Sequence, residues 1–145
     1  MRALVQRVTS AAVHVGGEEV AAIGPGLLVL LGVARGDDAA TCDWVADKVA
    51  ALRLFSGPDG RMDEPLGADP ARRVLCVSQF TLYGDARKGT RPSWSRAAPG
   101  PEAEPLYDRF CARLGAAKGV FGADMAVSSV NDGPVTLLVE REPRG

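Results

Sequence analysis

The sequence predicts an α/β fold of one domain, residues 1–145, in which two main helices pack on a mixed β-sheet. The first sign is the run Leu27-Leu28-Val29-Leu30-Leu31-Gly32-Val33, apolar without alternation, as in a central strand covered on both faces. The second is a pair of helical stripes, Val45/Val49/Leu52 and Leu106/Phe110/Leu114, each wide enough to lie on a sheet. The third is size: 145 residues, 46% of them hydrophobic, match one ordinary domain that buries roughly 68 to 70% of its unfolded surface without disulfides or metal.

In chain order, residues 2–15 predict a strand or a bent pair of strands, and Gly16-Gly17-Glu18 a turn into a short strand over Val20–Ile23. Gly24-Pro25-Gly26 separates this hairpin from the central strand. Asp37-Asp38 offers N-caps for a helix through about Leu52. Leu52–Phe55 predicts a strand ended by Gly57-Pro58-Asp59-Gly60, and Arg73–Leu82 a longer one. A loop rich in Gly, Pro and Arg follows to about Pro101, and loops of such length in compact domains are usually functional or mobile. Glu102–Leu114 predicts the second helix, and Ala123–Asn131 and Val135–Glu140 two last strands joined through Asp132-Gly133-Pro134.

Composition narrows the function. Cys42, Cys76 and Cys111 are odd in number, widely spaced and without a C-x-x-C pair, which argues against a disulfide framework or structural zinc and for a reducing, cytoplasmic location. Charges near the N-terminus and the lack of a ~20-residue apolar stretch argue against export and against a membrane partner. A net charge of −1 argues against bulk nucleic-acid binding. Locally, Arg87, Lys88, Arg91 and Arg96 outnumber Asp85, a patch able to touch phosphates, although a solvated loop explains the same charges.

With His14 as the only histidine and no sequence link from it to a nucleophile, a Ser-His-Asp triad and a His-rich metal site are both disfavoured. Phosphate-cradling glycine runs are absent, so the expected site takes no metal and no cofactor. Two segments remain. Ser78-Gln79-Phe80-Thr81-Leu82 ends an apolar run; strand alternation would put Ser78 and Phe80 on one face and Gln79 and Thr81 on the other. Main-chain N–H groups at such a strand end can form an oxyanion hole, typically about 3 to 4 kcal/mol per donor. Ser and Thr capping a turn is the plainer alternative. Asn131-Asp132-Gly133-Pro134-Val135-Thr136 contains an X-Pro bond; a cis isomer would turn two successive carbonyls toward one side, able to grip an ammonium group, while a trans turn is commoner.

Taken together, Met1–Val8, Val77–Tyr83, Arg87–Ser93, Phe121–Met125 and Val130–Thr136 resemble, in order and nearly end to end, the D-aminoacyl-tRNA deacylase family. The resemblance implies a barrel-like sheet core and a homodimer with its active sites at the subunit interface. It implies an esterase that frees tRNA from a D-amino acid, or from misattached glycine, at the 3′-terminal adenosine. By the same resemblance Gly133 and Pro134 enter the partner's site, hold the substrate amino group and exclude L-amino acids, supported by Arg7. Ser78, Gln79, Phe80 and Thr81 form the catalytic motif, with main-chain N–H groups around Gln79 and Phe80 near the ester carbonyl. Thr81 lacks a base to activate it and is read as structural or as positioning substrate, while the resemblance gives the terminal ribose 2′-OH a part in activating water. Phe121, Gly122, Ala123 and Met125 match the lining of the adenosine pocket, and Arg87, Lys88 and Arg91 are candidate tRNA contacts. One departure is the segment Gly115–Val120, several residues shorter than the family usually shows. Two rivals stand beside this reading: a small-ester hydrolase with a Thr or Ser nucleophile, and a non-catalytic tRNA-binding module.

Overall fold

The structure, a computed structural model, describes residues 1–144. Strand β1 (Arg2–Val15) is its organising element. Its first half pairs antiparallel with β3 (Gly26–Gly32), its second half with β2 (Glu18–Ile23). Its other edge carries β8 (Ala126–Glu140) along nearly the whole length. β6 (Arg73–Ser78) lies parallel to β3, and the two-residue β7 (Ala117–Lys118) parallel to β6, so the sheet is mixed. β2 also approaches β6 and β7, which curls the sheet almost into a barrel. A small hairpin, β4 (Phe55–Ser56) with β5 (Met62–Glu64), stands apart.

Alternation along β3 and β6 divides the apolar residues between two cores. Leu27, Val29, Leu31, Val74 and Cys76 face the helices α1 (Ala39–Ala51) and α2 (Gly100–Leu114), where they meet Val45, Val49, Tyr107 and Phe110. Leu28, Leu75 and Val77 face the barrel interior with Val8, Val13 and Ile23. The prediction of a central strand covered on both faces therefore holds. Asp38, rather than Asp37, caps α1: its Oδ1 accepts from the Thr41 N–H at 2.8 Å, while Asp37 receives the Met1 ammonium.

Several elements depart from the sequence reading. Leu52 starts no strand, because its N–H donates to Lys48 O and closes α1. The buried stripe of α2 is Ala103, Tyr107, Phe110 and Cys111, with Leu106 and Leu114 only partly covered. β6 stops at Ser78, and Phe80–Tyr83 forms a 3-10 turn. The ladder has run out there: Gln79 N–H donates to Leu31 O at 2.8 Å, and β3 ends one residue later. The alternation expected through Thr81 is lost with it. The last two predicted strands are one, β8, because both halves pair with β1. Between the pairs Gln6↔Thr136 and Val8↔Asn131, Arg7 alone stands opposite the bulge 132–135.

Ion pairs tie the helices together, Arg109 to Asp43 at 2.8 Å and Arg113 to Asp47 at 2.7 Å. The guanidinium hydrogen bonds hold both carboxyls below their ordinary value of 3.8, and Arg87 takes Asp85 down to about 2. A carboxyl depressed by folding stabilises the native state above 3.8, and that contribution is lost as pH falls through its folded value. The melting temperature is therefore expected to fall between about pH 4 and pH 2. Asp43→Asn/Asp47→Asn should flatten this acid limb; an unchanged slope would show that these pairs add nothing measurable.

Candidate active site

The 3-10 turn after β6 carries the first motif. Its first internal bonds are Leu82 N–H to Gln79 O at 3.2 Å and Gly84 N–H to Thr81 O at 2.9 Å. A 3-10 turn leaves its opening N–H groups without a carbonyl three residues back inside the turn, which makes the Phe80 and Thr81 main chain the available donors. Gln79 N–H is already taken by Leu31 O, so of the two donors expected around Gln79 and Phe80 only the latter remains for a ligand. The Gln79 amide instead hydrogen-bonds Thr81 Oγ1 through its side chain. Arg2 anchors the end of the turn, donating to Leu82 O at 2.8 Å and lying over the Tyr83 ring.

A cleft of about 430 Å³ opens at this point. Ser78, Gln79 and Phe80 form one wall, and Phe121, Gly122, Ala123, Asp124 and Met125 another. The short Gly115–Val120 link is what joins them. It places β7 beside β6, Gly119 N–H bonds Cys76 O at 3.1 Å, and the chain then turns so that the Phe121 ring meets Tyr107 with centroids 5.7 Å apart. The departure in length thus leads the chain straight to the cleft. A larger, shallower depression of about 870 Å³ between the ends of α1 and α2 contains none of the predicted site residues.

The floor of the cleft, Leu31, Val33, Ala98, Ala103 and Tyr107, was not legible as a site. Tyr107 is buried and donates to Cys76 O at 2.8 Å, and burial drives its phenol far above the ordinary range. The one carboxylate of the walls is Asp124. His14 does not line the cleft. The cysteines are buried, and burial pushes the Cys42 thiol up to about 11, so it stays protonated at neutral pH. The cleft therefore offers main-chain donors, the Ser78 hydroxyl, the Gln79 amide, the Asp124 carboxylate and apolar surface.

The other predicted residues lie elsewhere. Thr81 is exposed beside the cleft rather than in its wall. Gly133 and Pro134, joined by a cis peptide bond, are exposed on the β8 bulge. Arg7 clamps that bulge: its Nε donates to Asp132 O at 3.0 Å and its Nη1 to Leu54 O at 2.8 Å. Asn131 closes it, accepting from Val135 N–H and donating to Thr136 Oγ1, both at 2.9 Å. None of Arg7, Gly133 or Pro134 lines the cleft of its own chain. Arg87, Lys88 and Arg91 sit exposed on the loop between the bridged residues Asp85 and Ser93.

The family model for D-Tyr-tRNA(Tyr) deacylase matches residues 4–140, which include both walls of the cleft and the bulge. The chain belongs to this family. As a member of the D-Tyr-tRNA(Tyr) deacylase family it is a hydrolase of an ester bond. Similar proteins include a D-aminoacyl-tRNA deacylase of Symbiobacterium thermophilum, 52% identical over 98% of this chain and 97% of that one. Another, from Nocardia farcinica, is 56% identical over 97% of this chain and 99% of that one. Among solved structures, c-Myc DNA Unwinding Element Binding Protein superposes with a TM-score of 0.91 at 39% identity, covering 99% of this chain and 100% of the other. A probable eukaryotic D-amino acid tRNA deacylase shares the fold, with a TM-score of 0.78 at 18% identity over 95% of this chain and 97% of its own.

Proposed function

We propose that this protein is a translation proofreading esterase that hydrolyses D-aminoacyl-tRNA, and glycine misattached to tRNA, in the cytoplasm. The observation that carries the reading is the single cleft joining the N–H end of the 3-10 turn to the segment Phe121–Met125. The apolar second wall suits an adenine ring, with Phe121, Gly122, Ala123 and Met125 around it. The ester carbonyl then lies toward Ser78 and the Phe80 N–H. Water adds to that carbonyl, the Phe80 main chain stabilises the resulting oxyanion, and the bond to the ribose oxygen breaks. The departing oxygen takes a proton, releasing free amino acid and tRNA. By the family resemblance, the neighbouring ribose 2′-OH helps to activate the water.

Chirality is read by Gly133 and Pro134 of a second copy. The support is that Gly133 and Pro134 are exposed and line no part of the cleft of their own chain, and that β8 around them exposes apolar side chains. Val130 is 55% exposed and Leu138 52%, surface suited to association with a second copy. Main-chain atoms there would accept from the substrate ammonium and leave no room for an L side chain, with Arg7 fixing the bulge. Arg87, Lys88 and Arg91 would meet tRNA phosphates.

Thr81 separates this reading from a nucleophile mechanism. Thr81→Ala removes a hydroxyl bonded only to the Gln79 amide, so deacylation is expected to stay within about tenfold of wild type, with no acyl-enzyme trapped by rapid quench. Loss of turnover by several orders of magnitude, together with a trappable acyl-enzyme in the wild type, would establish the nucleophile instead.

A further inference from the structure

Phe80 and Trp94 are large aromatic side chains left open on the surface, 56% and 43% exposed. Their rings meet edge to face, with centroids 5.3 Å apart and planes at 73°, an arrangement that leaves a broad ring face free. The indole is held in place. A Cβ built on Gly84 would lie 2.6 Å from Trp94 Cζ3, so the ring lies directly on the Gly84 backbone. The loop that carries it is closed by two hydrogen bonds between Asp85 and Ser93, each 2.8 Å. Phe80 belongs to the wall of the cleft, whereas Trp94 lies just beyond it. The loop that the Asp85–Ser93 bonds close, next to Trp94 in the chain, exposes Lys88 and Arg91, together with Arg87, which is paired with Asp85 at 2.7 Å.

A base-sized cleft thus has an aromatic pair at its rim, and a loop with two cations unpaired among the described residues, Lys88 and Arg91, starts beside the second ring. We propose that the Phe80–Trp94 pair is a stacking platform for the unpaired nucleobase immediately upstream of the terminal adenosine. Successive bases of a single strand stack on aromatic side chains whatever their sequence, and nearby cations carry the backbone charge. This rests on reading the cleft as the adenosine pocket. It adds a second nucleotide subsite and places the RNA strand on the Trp94 side. The positive loop favours RNA as the occupant over a second copy of this chain, whose net charge is −1.

The test compares D-tyrosyl-tRNA with the D-tyrosyl ester of adenosine alone, which lacks every upstream nucleotide. Trp94→Leu is expected to raise KM for the charged tRNA by at least about fivefold more than for the short ester, with kcat little affected. Trp94→Phe keeps a ring and should restore most of the loss. Gly84→Ala, which displaces the indole without deleting it, should reproduce part of it. Equal effects of Trp94→Leu on both substrates, or none on either, would overturn the platform. So would a shift in oligomeric mass in Trp94→Leu, which would assign the surface to a second copy. If the wild type cleaves neither ester, the functional reading falls, and calorimetric binding of the trinucleotide CCA against adenosine still decides the subsite: a preference for CCA in the wild type that Trp94→Leu removes supports the platform, and equal affinities in the wild type overturn it.

Discussion

Gly133→Ala is expected to cut kcat/KM for D-aminoacyl-tRNA by about 100-fold while leaving the protein folded. Gly133 has φ +127°, a backbone region that L side chains rarely adopt, so any Cβ strains the bulge. Space is lacking too. The new methyl would lie 2.9 Å from Arg7 Nη2 and 3.0 Å from Val135 Cγ2. Arg7 cannot simply swing away, because its Nε and Nη1 are bonded to Asp132 O and Leu54 O. The bulge must therefore shift as a unit, and a reacting group misplaced by about 1 Å can cost on the order of 100-fold in rate. Since Asp132, Gly133 and Pro134 are exposed and only Val135 of the bulge packs against a core, melting should change far less than activity. Wild-type rates in this variant would remove Gly133 and Pro134 from the site.

Gly26→Ala should have the largest effect on stability. Gly26 opens β3 opposite Arg73 of β6, where the two backbones come so close that an added Cβ would lie 1.8 Å from Arg73 O and 2.7 Å from Arg73 N. Its φ of +153° adds strain. Backbone atoms cannot rotate out of the way as a side chain can, so the parallel β3–β6 pairing must open. A loss of about 4 kcal/mol is expected, a drop in melting temperature of roughly 10 to 15 °C. An unchanged denaturant midpoint would show that the junction yields more readily than its geometry indicates.

Local pattern and long-range pairing were not equally legible in the chain. The run Leu27–Val33 reads directly as a doubly covered strand, because burial on both faces removes alternation. Motif resemblance singles out Ser78, Phe80 and Phe121, and the structure brings these three to one cleft. The 3-10 turn at Phe80 is not legible, since its cause lies in another segment: β3 ends at Gly32, and the ladder has no partner beyond. For the same reason Asp132-Gly133-Pro134 reads as a turn between two strands until β1 is seen pairing with both sides of it. The clamp by Arg7 depends on that register and on Leu54 O, neither of which leaves a local trace. Tyr107 is not legible because Leu106 and Leu114 suggest a different face of α2, while the helix buries Ala103, Tyr107, Phe110 and Cys111.

The most direct test of the account is the deacylation rate of one tRNA charged with D-tyrosine and, separately, with L-tyrosine, measured with the wild-type protein. The account predicts rapid loss of the D-ester and persistence of the L-ester at the uncatalysed rate. Equal loss of both would keep the esterase but contradict chiral exclusion by Gly133 and Pro134, and loss of neither would contradict the esterase itself.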